Sequence, residues 1–366
     1  MSGKERAEMS DNGSRLPELY DVTIVGGGPA GMYAAFYGGM RDMKMKLIEA
    51  KSALGGFLHM YPEKMVWDVG GLPPIRCDLL MSWLEQQART FEPTVVLGQE
   101  IRGLIREEDG TFVLVSADGK GHRTKTVIIA AGRGITQIEK LNIQGAERYE
   151  VANLHYTIQD LNSFRGKKVL VSGGGNSAVD WAIDLAAVAS SVIVVHRREE
   201  FSALEKRVSD MQLVAETRTP YAIDCLHGDG NAIRRVTIVH SHTGEKEDID
   251  IDAVLVNHGY NSDYSTFEQW GLEIGERGPV VDERLETSIP GIFAAGDCIV
   301  YGTKVRLIAG AFNDAVLAVN GAKLHIEPEA HKMAFVSSHN DLFRDRNRAF
   351  LTPGRHFGAR LPDGAR

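Results

Sequence analysis

The chain is poor in cysteine. Its 366 residues carry three, Cys77, Cys225 and Cys298, on separate segments and in no C-x-x-C pair. That excludes a local dithiol for exchange chemistry, and each cysteine reads first as a small buried apolar residue. Long apolar runs are also missing, since no stretch approaches the ~20 residues that cross a bilayer. Met1 to Leu16 are polar and mixed in charge, so residues 1–18 read as a disordered lead and not as a signal peptide. The twelve histidines show no H-x-x-x-H spacing, and no metal site is read. Positive charge is in deficit. A net charge of −8 argues against a nucleic-acid partner, while an acidic protein partner would need only a local basic patch. Arg41, Lys44 and Arg344 are candidates for such a patch, with a solvated face as the ordinary alternative for each. Hydrophobic content of 43% and charged content of 25% are ordinary for a globular protein, and the length has room for two domains. A soluble cytoplasmic enzyme is the expectation.

Glycine, by contrast, is concentrated where it carries information. Gly26-Gly27-Gly28-Pro29-Ala30-Gly31 follows the apolar run Tyr20 to Val25, and Gly173-Gly174-Gly175-Asn176-Ser177-Ala178 follows Lys168 to Val171. Each sits where a buried strand turns into a helix, the context a dinucleotide fingerprint requires. Glycine permits the tight turn and the close approach of a pyrophosphate to the positive end of the helix. Two such motifs imply two dinucleotides in one chain and electrons passing between them.

The ends of the second strands distinguish the two sites. Lys44 to Ile48 ends at Glu49, whose carboxylate suits ribose hydroxyls and repels a 2′-phosphate, so this site suits FAD or NAD. Ser191 to Val195 ends at His196-Arg197-Arg198, where a guanidinium pair suits a 2′-phosphate and reads as an NADPH site. The bland alternative there is a solvated charged turn, since Glu199 and Glu200 follow at once.

The order of these features predicts a nested α/β architecture of two three-layer ββα, Rossmann-like dinucleotide-binding domains. The first occupies residues 19–140 and 260–332, the second 141–259, and residues 333–366 form a C-terminal extension. A hairpin is expected over Glu100 to Val115, a closing strand over Thr126 to Ala130, and a linker over Ile143 to Asp160. Gly291 to Asp297 reads as a buried strand ending in an acidic turn, followed by an apolar helix from about Val305 to Leu324.

Beyond the fingerprints, Tyr37-Gly38-Gly39-Met40-Arg41, Tyr61-Pro62-Glu63-Lys64, Val179-Asp180-Trp181-Ala182 and Ala294-Ala295-Gly296-Asp297 stand in the chain. With them, the sequence from about Tyr20 to Ser338 resembles the thioredoxin-reductase-like ferredoxin–NADP reductases. Thioredoxin reductases carry their redox pair where this chain has Asn153-Leu154-His155-Tyr156-Thr157, so the resemblance implies direct electron export from the flavin. It implies FAD on Gly26, Gly28, Pro29, Ala30, Gly31, Gly56, Phe57, Ala131, Gly132 and Thr136, with Glu49 holding the adenosine ribose. Tyr61 would stack on the isoalloxazine, Ile101 would lie by the adenine, Gly296 would line the cofactor site and Asp297 would accept from a ribityl hydroxyl. The helix from Val305 would aim its N-terminus at the flavin, and Ser338, in the extension, would lie near the ring. NADPH would take Gly173, Gly175, Asn176, Ser177, Ala178, His196, Arg197 and Arg198.

Several positions depart from the family pattern. Phe57 replaces a usual glutamine, Ser202 replaces an arginine after Phe201, the aromatic before Thr136 is missing, and Val336 stands where a ring is expected, with Phe335 and His339 as neighbours. The activity implied is hydride transfer from NADPH to FAD and single-electron delivery to ferredoxin or flavodoxin, by a homodimer and without a catalytic acid, base or nucleophile. A reductase for another acceptor and a flavin-bound sensor without turnover are the alternatives.

Overall fold

The structure is a computed structural model that describes residues 17–132, 137–261, 263–344 and 347. Its first sheet is built from β1 (Tyr20–Val25), β2 (Met45–Glu49), β3 (Thr94–Leu97), β4 (Ile101–Arg106), β5 (Phe112–Ser116) and β6 (Gly121–Ile129), with helices α1 (Pro29–Met40) and α2 (Cys77–Ala88) in the connections. β3, β2, β1 and β6 lie side by side and parallel. Toward their C-terminal ends these strands become continuous apolar runs, Ile24-Val25, Leu47-Ile48 and Val127 to Ile129, as in a sheet covered on both faces. The N-terminal half of β6 pairs antiparallel with β5, and β5 with β4.

The second sheet is parallel throughout. It uses β7 (Leu154–His155), β8 (Lys168–Ser172) and β9 (Ser191–Val195), with α3 (Asn176–Ala186) between β8 and β9 and α4 (Glu205–Val214) leading to β10 (Glu216–Arg218). A three-stranded antiparallel sheet of β11 (Tyr221–Asp229), β12 (Ala232–His240) and β13 (Lys246–Asp250) follows, and β14 (Ala253–Val256) returns to the parallel sheet between β7 and β8. Alternate residues of the parallel strands enter different cores. Val169, Val171, Val192, Val194 and Leu255 pack with α3, whereas Leu170, Val195, Val254 and Val256 pack with Val236 and Ile238 of the antiparallel sheet. The unit is therefore a three-layer sandwich.

The chain then completes the first sheet. β15 (Ile292–Ala294) pairs parallel with the C-terminal half of β6, and α5 (Ile308–Ile326) packs on α1. Tyr33 meets Phe312 with ring centroids 4.9 Å apart, and Arg41 Nη1 donates to Asn320 Oδ1 at 2.6 Å. The two helices are thus parallel, and their N-termini lie toward the C-terminal ends of the parallel strands.

Three sequence expectations change. The helix after Asp297 starts at Ile308, not near Val305, because Val305 crosses its first turn: a Cβ on Gly310 would overlap the Val305 carbonyl. The closing strand begins at Gly121, because its first half is recruited by β5. The stretch Ile143 to Asp160 is not a plain linker, since it contains β7, an edge strand held by β14.

Candidate functional site

The first fingerprint owes its shape to missing side chains. Gly26 has φ of 111° and a Cβ there would overlap the Ala130 carbonyl oxygen, while a Cβ on Gly31 would overlap that of Gly26. The turn is thereby drawn tight between the end of β1 and the start of α1. Gly28 caps α1 with no side-chain acceptor and Pro29 opens its first turn, so backbone N–H groups there are available to an anion.

Other elements close around this helix end. Glu49, buried at the end of β2, accepts from Gly27 N at 2.6 Å and Lys51 N at 2.9 Å. Gly55 N donates to Gly27 O at 2.8 Å, which lays Gly56 over Gly28; a Cβ on Gly28 would meet only Gly56 Cα, at 3.8 Å. Gly296 has φ of 87°, and a Cβ there would stand 3.1 Å from Ala30 Cβ, so Asp297 emerges beside the start of α1. Ala131 and Gly132 follow β6, whose end is tied by Ala130 N to Val25 O at 2.8 Å. Gln99 N donates to Glu49 O at 3.1 Å, bringing the buried Ile101 next to the acid.

The second fingerprint repeats the construction with different partners. A Cβ on Gly173 would overlap Asn257 O, and one on Gly174 would overlap the His196 ring. Gly175 caps α3 without a side-chain acceptor, and a Cβ on it would meet nothing within 4 Å. Ala178 is buried, and Asn176 Oδ1 accepts from Leu204 N at 3.0 Å. Ser202, which replaces the expected arginine, donates its N–H to Gly174 O at 2.8 Å and closes the turn instead. His196 stacks on Phe201 at 5.4 Å, and its Nε2 lies 3.1 Å from Glu200 O. Burial pushes the His196 imidazole below its ordinary range; the Glu200 carbonyl opposes this, and the Arg198 and Arg197 charges add to it. The ring is therefore neutral at neutral pH, and Arg197 and Arg198 carry the positive charge, both exposed on the rim.

A cavity of about 690 Å³ runs from Arg197 and Arg198 past Gly175 and Ser177 to Tyr61 and Phe57. The buried Asn257 Oδ1 on its wall has no hydrogen-bond partner among the described residues. Open space at Gly175, the glycine slot at Gly28 and this orphaned oxygen are features that dinucleotides fit. Tyr61 faces the second fingerprint, its hydroxyl 3.3 Å from Ser177 Oγ and its ring 6.3 Å from that of Trp181. Phe57 meets Tyr61 edge-on at 5.6 Å.

Some expected residues lie elsewhere. Thr136 is outside the described residues. Val305 is 52% exposed in the loop ahead of α5. Ser338 sits in an exposed turn next to Asn340, whose amide donates to Met40 O at 3.2 Å. Arg41 Nη2 donates to His331 O at 2.6 Å, and Ala334 N to the Tyr37 hydroxyl at 3.1 Å. The extension is thus anchored at the C-terminal end of α1, roughly 15 Å of helix from the fingerprint. Ser338, Phe335, Val336 and His339 do not reach the fingerprint of their own chain. The three basic candidates are engaged as well: Arg41 is buried in this anchor, Lys44 pairs with Glu18 at 2.8 Å, and Arg344 pairs with Asp341.

Sequence reasoning missed two clusters. Lys64 lies 3.6 Å from Asp180 and 3.7 Å from Asp184, with its ammonium 4.5 Å from the Trp181 ring, joining the Tyr61 loop to α3. Lys304 pairs with the buried Asp314, which also accepts from Tyr301 and Gly296. A signal for the latter was present, because Asp314 is the single acid in the sequence of α5. Where a redox pair would stand in a thioredoxin reductase, Thr157 Oγ1 donates to Met60 O at 2.8 Å and Asn153 ties Ile233 and Asp252.

Comparison with known proteins agrees with this geometry. The profile of the pyridine nucleotide-disulphide oxidoreductase family matches residues 20–320. Ferredoxin–NADP reductase 1 of Bacillus pumilus is 53% identical over 339 residues, covering 92% of this chain and 98% of that protein. Its counterpart in Shouchella clausii is 50% identical over 331 residues, covering 90% and 95%. Among solved structures, the thioredoxin reductase of Lactococcus lactis superposes with a TM-score of 0.72 at 26% identity, covering 84% of this chain and 99% of that one. The chain belongs to the pyridine nucleotide-disulphide oxidoreductase family, among its thioredoxin-reductase-like ferredoxin–NADP reductases.

Proposed function

We propose that the chain oxidises NADPH and passes its electrons through FAD to ferredoxin or flavodoxin. The observation that carries this reading is the pairing of two uncapped glycine turns with opposite charges: Glu49 beside the first, Arg197 and Arg198 beside the second. Bound FAD supplies a hydride acceptor that can release electrons one at a time. The chain supplies binding and orientation. On this reading, the N–H groups at the start of α1 hold the FAD pyrophosphate, Glu49 the ribose and Asp297 a ribityl hydroxyl. The start of α3 holds the NADPH pyrophosphate, and the two arginines its 2′-phosphate. The domain limits argued from sequence, 19–140 with 260–332 for FAD and 141–259 for NADPH, belong to the same reading. So do a homodimer and a cytoplasmic location. No helix among the described residues is long and apolar enough to cross a membrane. Support for the dimer comes from the extension, which presents Met333, Phe335 and Val336 outward, away from its own fingerprint.

The purified protein is expected to be yellow with non-covalent FAD, to bleach under NADPH without oxygen, and to reduce cytochrome c faster when ferredoxin or flavodoxin is added. Bleaching without any stimulation by either carrier would assign a different acceptor. An absence of bleaching would overturn the reading altogether.

No thiol is needed for this chemistry. Cys298 is fully buried, its Sγ donating to Ala295 O at 3.3 Å, and burial pushes the thiol up to about 11. Cys77 and Cys225 are also unpaired. A folded, FAD-loaded variant with all three replaced by serine is expected to keep ferredoxin reduction within a few-fold. Normal bleaching with complete loss of acceptor reduction would reinstate a thiol relay.

A further inference from the structure

We propose that Lys304, Asp314 and Tyr301 are a positioning cluster that holds the Gly296–Asp297 turn in the shape required to bind the ribityl chain of FAD. The inference rests on the reading of Asp297 as an FAD ligand. Asp314 lies in the second turn of α5 and is completely buried, and the Lys304 side chain is 2% exposed. One carboxylate oxygen accepts from Lys304 Nζ and, at 3.1 Å, from Gly296 N. The other accepts from the Tyr301 hydroxyl at 2.9 Å. Burial, with the Asp314 hydrogen bond and charge behind it, pushes the Tyr301 phenol up to about 12, so its proton stays in place as a donor.

All three bonds run from one helix residue to the loop that carries Asp297. The other buried positions of α5, including Ala311, Ala315, Ala318, Val319 and Ala322, are small and apolar and pack without charge. Taking an ion pair out of water is costly, and a pair placed at this turn alone points to a task there. The carboxylate and the ammonium are buried while Tyr301 is partly exposed, and the bond that joins the cluster to the Asp297 turn is the one from Gly296 N. Asp297 is only partly buried and emerges where Gly296 meets Ala30.

The test uses apo-protein of three variants: the neutral double Lys304→Met with Asp314→Asn, the single Tyr301→Phe, and Asp297→Ala as reference. FAD titration by fluorescence quenching, apo-protein Tm and the flavin midpoint potential are measured. The double variant is expected to keep its apo Tm within a few degrees and to bind FAD roughly tenfold more weakly, the size of one lost charged hydrogen bond. Tyr301→Phe is expected to shift in the same direction by less. The midpoint potential is expected to fall by about 30 mV for each tenfold by which reduced FAD is weakened beyond the oxidised form. Unchanged affinity and potential in the cluster variants, with weakened binding in Asp297→Ala, overturns the cluster while leaving the FAD site standing. Weakening that merely follows a loss of apo stability assigns a scaffold role and overturns it too. Normal FAD binding by Asp297→Ala removes both the cluster and the reading beneath it.

Discussion

Gly31→Ala protein is expected to leave purification nearly colourless, with at least a tenfold loss of FAD affinity. A Cβ at this position would overlap the carbonyl oxygen of Gly26, which is backbone and cannot swing aside as a side chain can. Gly26 is itself fixed, because a shift would drive it into Ala130 on the neighbouring strand, and its N–H is committed to Ile48 O at 2.8 Å. The added methyl must therefore push α1 away from the turn, at roughly 1–3 kcal/mol of overpacking or more, and the groups displaced are the N–H groups proposed to hold the pyrophosphate. Gly98→Ala is a useful reference. Its φ is positive, at 69°, where Gly31 is helical, and the space around it is open, so the methyl there meets backbone strain without a collision. The ratio of flavin to protein absorbance reads the result. Full flavin content in Gly31→Ala would show that the turn yields more easily than its contacts imply.

The second large effect is expected for the pair Arg197→Ala with Arg198→Ala. Both guanidiniums stand exposed on the cavity rim, and neither is held by a carboxylate among the described residues, so each can fork onto a phosphate. A charge-assisted hydrogen bond contributes on the order of 1.5–3 kcal/mol, so the double variant should raise the NADPH KM about a hundredfold. The NADH KM should change by less than about threefold, because NADH has no group there to lose. His196 does not compensate, since burial keeps it neutral. Ser202 cannot either, because it is bonded to Gly174. Equal losses for both nucleotides would mean that the arginines shape the turn and do not clamp the phosphate.

The parts of this protein that could be read from sequence are those set by neighbours along the chain. Gly26, Gly31 and Gly173 announce their turns because a missing Cβ, a preceding apolar run and a following helix all lie within a few residues. Glu49 and Arg197 are legible for the same reason, as each ends the strand next to its fingerprint. What escaped depends on distant partners. The true start of β6 is decided by β5, and the start of α5 by Val305 crossing over Gly310. Lys64 acquires its partners from Asp180 and Asp184, more than a hundred positions away, and no local pattern marks it. Arg41, which reads as a surface charge, turns inward to anchor the extension, and no local pattern marks its partner His331.

The pairing of β15 with β6 also bears on how the chain is made. Val127 finds Ile292 only after the whole second sheet has left the ribosome, whereas every strand of that second sheet lies between Leu154 and Val256. Closing short loops is cheaper and faster than closing long ones, so the inserted unit can complete itself while the first still lacks a strand and a helix. Through that interval the C-terminal half of β6, the apolar run Val127 to Ile129, is an open edge, the kind of surface on which nascent chains associate wrongly. Asp297 and α5 arrive in the same late segment as β15. If Asp297 is the flavin ligand proposed above, the flavin site and that edge are completed by the same late segment.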